Sequence, residues 1–449
     1  MPAHCASEQH EIRWAGAAVC ALVVAAPAQA AWSPPVRLGR PAQYPDIVMA
    51  RDGHALVTAF SSRDDTQLIT LAPGGVEPIV RRTVSGRPWF RTYGRNGTIG
   101  FRASDGVVFG TITDPLSRAE PVAGAWDLGV SPRGDAVAMW GERRGRDLLT
   151  RYALRPPGGH FGRPRTIAVG HGYDAYWGST ESGETGTAAA IDGDGNVTIA
   201  LLHESGQLGK RRREVRVVTV RRGMRPGPQQ VLGPHHGSAA VELAVAAGGR
   251  TVIAWKSSDL GEEVNLPTEV WAATRRPGSR RFRRAQRLEG NGSAPIVSSG
   301  YLDLATGADG EALVAWSATS RSGHPLVEAA SARPGRRFGA VQRVAADGIE
   351  VAVALARDGR ATITWVSSQE PQSGIQVFAA RRPGREQPFG PPEPVSPPEA
   401  AQNPAVAYDP STRQPLIAWS ATPGAPNGFV EGSGGRPAPR SLSLARFVP

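Results

Sequence analysis

Ala308-Asp309-Gly310-Glu311-Ala312-Leu313-Val314-Ala315-Trp316 is the stretch that decides the fold, because the chain keeps rewriting it. Earlier versions read Met49-Ala-Arg-Asp-Gly53-His-Ala-Leu-Val-Thr-Ala-Phe60, Ser131-Pro-Arg-Gly134-Asp-Ala-Val-Ala-Met-Trp140 and Ala247-Gly-Gly249-Arg-Thr-Val-Ile-Ala-Trp255. A later one reads Arg357-Asp-Gly359-Arg-Ala-Thr-Ile-Thr-Trp365. Each time an apolar run enters a Gly turn, and a second apolar run leaves it and ends on an aromatic. Self-similarity at a period of about fifty residues marks one supersecondary unit repeated along the chain.

Working outward, each unit holds four short strand signals, a to d. In the sixth, strand a covers 301–306, b 312–316, c 326–332 and d 340–344. The a–b connection is an Asp-Gly or Gly-Gly hairpin turn, suited to positive φ. The c–d connection carries a second signature, Arg-Pro-Gly or Arg-Pro-Pro-Gly, at Arg155, Arg225, Arg276, Arg333 and Arg382. Strand b is continuously apolar, as a strand covered on both faces must be. Its closing aromatics, Trp140, Trp255, Trp316, Trp365 and Trp419 with Phe60, read as core between stacked sheets. Repeated four-stranded units imply an all-β, eight-bladed β-propeller, or a seven-bladed one if 89–124 is only a decorated loop. The last unit lacks a strand d, and Trp32-Ser-Pro-Pro-Val-Arg-Leu38 resembles the missing piece. The amino-terminal strand is therefore expected to complete the last blade and close the ring.

Residues 1–30 read as a signal peptide: an apolar stretch from Ala17 to Ala26 precedes Ala28-Gln29-Ala30, a small-x-small cleavage pattern. No segment is long and apolar enough to suggest a transmembrane helix. Residues 31–449 then form a single exported, extracellular domain. Both cysteines, Cys5 and Cys20, fall in the leader, so the sequence offers no disulfide, thiolate metal site or cysteine nucleophile downstream. The formal net charge is +11, and of 51 basic residues only Lys210 and Lys256 are lysine. Arginine clusters near the c–d turns, at Arg275, Arg276, Arg280, Arg281, Arg283 and Arg284, would suit an anionic cell-envelope surface. Nucleic acid is disfavoured, since an exported chain rarely meets it.

Alternating strand direction puts the short, repeated a–b and c–d turns on one face and the long, individual b–c and d–a loops on the other. Function concentrates in irregular loops on rigid scaffolds, so the loop-rich face is the expected binding face. Its densest cluster is His171, Tyr173, Asp174, Tyr176 and Trp177, with His235, His236, Tyr301 and Asp303 on neighbouring loops. Flat aromatic faces beside a carboxylate and an imidazole suit a glycan or peptide contact. No metal site is expected: Asp192-Gly-Asp194-Gly-Asn196 lacks the Glu that would complete an EF-hand loop, and in register it is an a–b turn. No cofactor motif occurs.

Val130-Ser131-Pro132-Arg133-Gly134 followed by Ala136 to Met139 resembles one unit of the TolB-tail propellers, with Arg133 where that family has Asp. Over residues 32–449 the chain resembles exported bacterial propeller repeat proteins with Asp-x-Gly turns. Its resemblance to sialidases reaches the architecture only: Phe90-Arg91-Thr92-Tyr93 lacks the end of the Phe-Arg-Ile-Pro motif, and Asp358-Gly359 to Trp365 lacks Asp-box spacing. Such resemblance implies a fold and leaves activity open. On these grounds the sequence favours a non-catalytic binding or scaffold module for an extracellular glycan or protein. The alternative is a glycan-processing hydrolase or lyase with carboxylates on the same face.

Overall fold

In the computed structural model, residues 31–448 are described except 42, 61–64, 86–90, 94–97, 104–105, 115–117, 121, 123–124, 145–146, 172–186, 206–211, 235–237, 247, 259–268, 289–292, 295–300, 321–323, 368–374 and 423–439. The described residues form a β-propeller-like, all-β fold of eight antiparallel sheets. In chain order sheets 1 to 7 span 43–85, 91–120, 125–171, 187–234, 238–288, 293–345 and 349–394. Sheet 8 holds Ala400–Tyr408, Pro415–Thr422 and Ser441–Val448, with Ala31–Trp32 and Val36–Pro41 paired onto the last of these. The chain ends meet as the sequence predicts: Trp32 opposes Phe447 and Val36 opposes Leu444.

Eight buried clusters glue the sheets face to face. Seven join sheets that follow one another in sequence, and one joins sheet 8 to sheet 1 through Leu416, Ala418 and Leu444 against Ala55, Val57 and Ile69. Strand b explains its apolar run here. Ala312, Val314 and Trp316 enter the cluster with sheet 5, while the alternate Leu313 and Ala315 enter the one with sheet 7. A period-2 side-chain alternation between two dry faces demands apolar residues at every position. Trp255, Trp316, Trp365 and Trp419 are buried as expected, whereas Trp140, at the edge of its cluster, and Phe60 are only partly covered.

The a–b turns close on glycine. Gly310 takes φ +91°, a region closed to most side chains, and its amide donates to Gly307 O. From sheet 2 to sheet 8, and again between sheets 8 and 1, the a strands touch one another. They form the inner end of each sheet, and the short d strands the outer end.

The turn face corrects one expectation about arginine. Arg275 does not belong to an exposed basic patch: it is buried, and its guanidinium donates to the hydroxyls of Thr198, Thr219 and Thr251. Arg276, Arg280, Arg281 and Arg284 remain exposed, and Arg283 is half-buried. Arg155 pairs with Glu120 of sheet 2 at 2.8 Å, and Arg382 with Glu311 of sheet 6 at 2.6 Å, both pairs fully buried. Arg250 donates to Ala332 O, Arg333 O and Arg336 O of sheet 6. Part of the arginine content is thus mortar between sheets.

Candidate functional site

Strand a is an edge strand on its inner side, so its outward N–H groups need acceptors that no further strand supplies. The chain meets that need with carboxylates at a repeated register, seven residues before the turn glycine: Asp46, Asp127, Glu242 and Asp303 stand there, and Ala188 and Ala352 in two other sheets. Asp303 Oδ1 accepts the Leu304 amide at 2.8 Å, and its Oδ2 accepts the Val353 amide of sheet 7 at 2.7 Å. Asp127 repeats this pattern with the amides of Leu128 and of Ala189 in sheet 4. Asp46 Oδ1 accepts the Ile47 amide. Each such carboxylate caps its own strand, and Asp127 and Asp303 also clasp the next sheet at the centre.

Glu242 breaks the pattern. It occupies the same register on Ser238–Val245, is one methylene longer, and meets no hydrogen-bond or ion-pair partner among the described residues. The Leu304 amide in the next sheet already serves Asp303. Burial, with the like charges of Asp303 and Asp127 adding to it, holds the Glu242 carboxyl well above the ordinary carboxylate range. Asp127 belongs to a sheet two places away, so these three groups face a common centre. Burial also raises Asp127, to about 7, and Asp303, in each case against the pull of two amide donors.

Nearer the loop-rich end, strand a bulges in sheets 1, 7 and 8, where Tyr44, Glu350 and Asn403 adopt φ of 49°, 55° and 51°. Non-glycine residues in this region cost free energy and tend to mark sites where backbone geometry serves a purpose. Glu350 links two neighbours: one oxygen accepts the Asn403 amide of sheet 8, and the other accepts the Tyr301 hydroxyl of sheet 6 at 3.4 Å. Burial raises Glu350 as well, opposed by those two donors. Tyr44 and Tyr301 are 53 % and 45 % exposed, so two aromatic rings stand open at the rim. Toward the loop-rich end of the a strands the chain thus presents two exposed tyrosines, Tyr44 and Tyr301, and the Glu350 carboxyl that joins sheets 6 and 8.

Of the residues expected from sequence, Tyr301 and Asp303 fall in this assembly, Tyr301 at the rim and Asp303 as a clasp whose two oxygens are taken. His171 ends the strand Arg165–His171. Tyr173, Asp174, Tyr176, Trp177, His235 and His236 lie outside the described residues. Sequence reasoning missed Asp127, Glu242 and Glu350. The available signal was a single acidic residue interrupting an apolar strand a, at constant distance from the turn glycine. Among the described residues no group of three or more His, Cys, Asp or Glu is placed to hold a metal ion, and no helix is long and apolar enough to cross a membrane.

No family model and no curated protein matches this chain. Among solved structures it is similar to the polysaccharide lyase Uly1, at 10% identity and a TM-score of 0.42, covering 90% of each chain. It is similar to the NanB sialidase from Streptococcus pneumoniae at 10% identity and a TM-score of 0.38, over 93% of this chain and 70% of that one. A structure described as the eukaryotic initiation factor gives 10% identity and 0.44, over 86% of each. At this level the likenesses decide nothing about activity.

Proposed function

We propose that the eight sheets are the blades of one closed ring, exported from the cell, and that the protein takes an extracellular glycan at the inner mouth of its loop-rich face. Exposed Tyr44 and Tyr301 beside Glu350 and Asn403 supply what a sugar ring needs: apolar faces to stack on and polar groups for its hydroxyls. The cluster His171, Tyr173, Asp174, Tyr176 and Trp177, with His235 and His236, would extend that surface from the same face.

One observation moves this reading from binding toward processing. Glu242 is a carboxyl at the centre whose pKa burial pushes well above the ordinary carboxylate range, and unlike Asp127 and Asp303 it caps no amide. A strongly perturbed carboxyl in a cleft is the usual sign of acid–base work. A carboxylic acid held neutral near pH 7 can donate its proton to a glycosidic oxygen as the bond breaks. Glu242 is accordingly our proton donor, its pKa raised by burial and, in second place, by Asp303 and Asp127, with Tyr301, Glu350, Asn403 and Tyr44 holding the sugar.

The test is release of new chain ends from a panel of extracellular polysaccharides by the full-length protein and by Glu242→Gln. The expected result is a fall of about 100-fold or more in turnover with glycan binding retained, the size of a lost general acid. Unchanged turnover in Glu242→Gln removes Glu242 from the chemistry. Glycan binding without turnover on any panel member returns the protein to the non-catalytic class.

A further inference from the structure

The repeat contains a side-chain latch between neighbouring blades, and one copy of it is half open. In sheet 4, Gln230 grips Phe282 of sheet 5 at both ends: its Nε2 donates to Phe282 O at 2.9 Å, and its Oε1 accepts the Phe282 amide at 2.9 Å. Gln342 of sheet 6 does the same to Phe389, at 3.2 and 3.1 Å. Between them Gln286 of sheet 5 donates to Phe338 O at 3.0 Å, but its Oε1 is buried and accepts nothing. Gln286 is one of the residues lining a cavity of about 230 Å³, together with Ala272, Ala273, Thr274, Phe338 and three arginines, Arg283, Arg284 and Arg337. Arg283 is anchored by donation to Gly335 O. Arg284 and Arg337 are exposed and meet no partner among the described residues.

We infer that this opening at the outer joint of blades 5 and 6 is a binding site for one anionic sugar residue. Three guanidinium groups call for a carboxylate or sulfate, for which arginine is the preferred partner. The unmet Gln286 acceptor calls for a hydroxyl donor, which a bare anion does not carry. Phe338 and the two alanines offer an apolar wall to a ring face. Pockets for drug-sized ligands run to roughly 300–1,000 Å³, so this smaller one fits a single ring or substituent. A uronate or a sulfated monosaccharide unit unites all three requirements. The site is remote from the inner mouth and does not depend on what Glu242 does.

Saturation-transfer difference NMR on the full-length protein tests it with four probes: methyl glucuronide, glucose 6-sulfate, methyl glucoside and inorganic sulfate. The two acidic sugars should bind and methyl glucoside should not. Binding should fall about tenfold in Arg284→Ala/Arg337→Ala and in Gln286→Ala, and stay unchanged in Glu242→Gln. Since the two arginines are exposed and unpartnered, their variant should fold normally, as its melting curve will show. Silence of both acidic sugars overturns the site. So does undiminished binding by the arginine variant. Displacement of the sugars by equimolar inorganic sulfate reduces it to a plain anion hole and overturns the sugar assignment.

Discussion

Asp127 shows how one side chain sets the pH response of the fold. Burial pushes its carboxyl up to about 7, from an ordinary value of 3.8, and outweighs the two amides it accepts. A raised folded value means that the native state holds this proton more tightly than the unfolded chain. Its contribution is therefore complete below about pH 4 and is lost as pH climbs to about 7, a swing on the order of 4 kcal/mol. Glu242 and Asp303 shift the same way. Asp409, Asp358 and Asp52 are shifted down and act oppositely, losing their contribution as pH falls below about 4. Stability should thus peak in mildly acidic solution. Urea midpoints measured at pH 5 and 7.5 should be higher at pH 5, and Asp127→Asn should remove much of the difference. A flat or inverted profile would show that the central carboxyls are solvated rather than buried.

Elements in this protein are held to one another by charge as well as by apolar faces. Glu311, in the a–b turn of sheet 6, accepts from Arg382 and Arg385 of sheet 7, and Arg382 also donates to Gly359 O. A buried ion pair contributes little net stability compared with an apolar replacement, but breaking it from one side strands a charge. Glu311→Ala should therefore cost about 3–5 kcal/mol, read as a lower denaturant midpoint. The double change Glu311→Leu/Arg382→Met should recover most of that loss. If the double variant is as unstable as the single one, the pair does more than neutralise itself, and the joint needs its hydrogen-bond geometry.

At the scale of the whole molecule the two ends of the described chain pair within sheet 8, which packs on sheet 1. Ala31–Trp32 and Val36–Pro41 cover the outer side of Ser441–Val448, Trp32 packs edge-on against Phe447 at 5.5 Å, and Leu38 is buried in the joint of sheets 8 and 1. Removing residues 31–41 would uncover an edge strand and forfeit the burial of several apolar side chains, roughly 5 kcal/mol in all. The expected outcome is a lowered melting temperature together with self-association, followed by light scattering on a sizing column. An unchanged, monomeric and equally stable protein would mean that closure lies elsewhere.

The repeat, the four-strand unit, the apolar strand b and the pairing of the first strand with the last were all legible in the chain, because each is a local periodicity or a one-to-one match of strands. Trp140 and Phe60 were over-read as core, since a periodic position does not reveal how far a neighbouring sheet extends. The working residues were harder. Asp46, Asp127, Glu242 and Asp303 share a register visible in the sequence, yet only the approach of the next sheet's amides distinguishes the clasps from the one carboxyl left without a partner. Arg275 looks the same in sequence as Arg276, and Gln286 the same as Gln230 and Gln342; contacts with residues some fifty positions away decide which is buried, exposed or unsatisfied. Periodicity is written along the chain by itself, whereas desolvation and hydrogen-bond satisfaction exist only once separate repeats are pressed together.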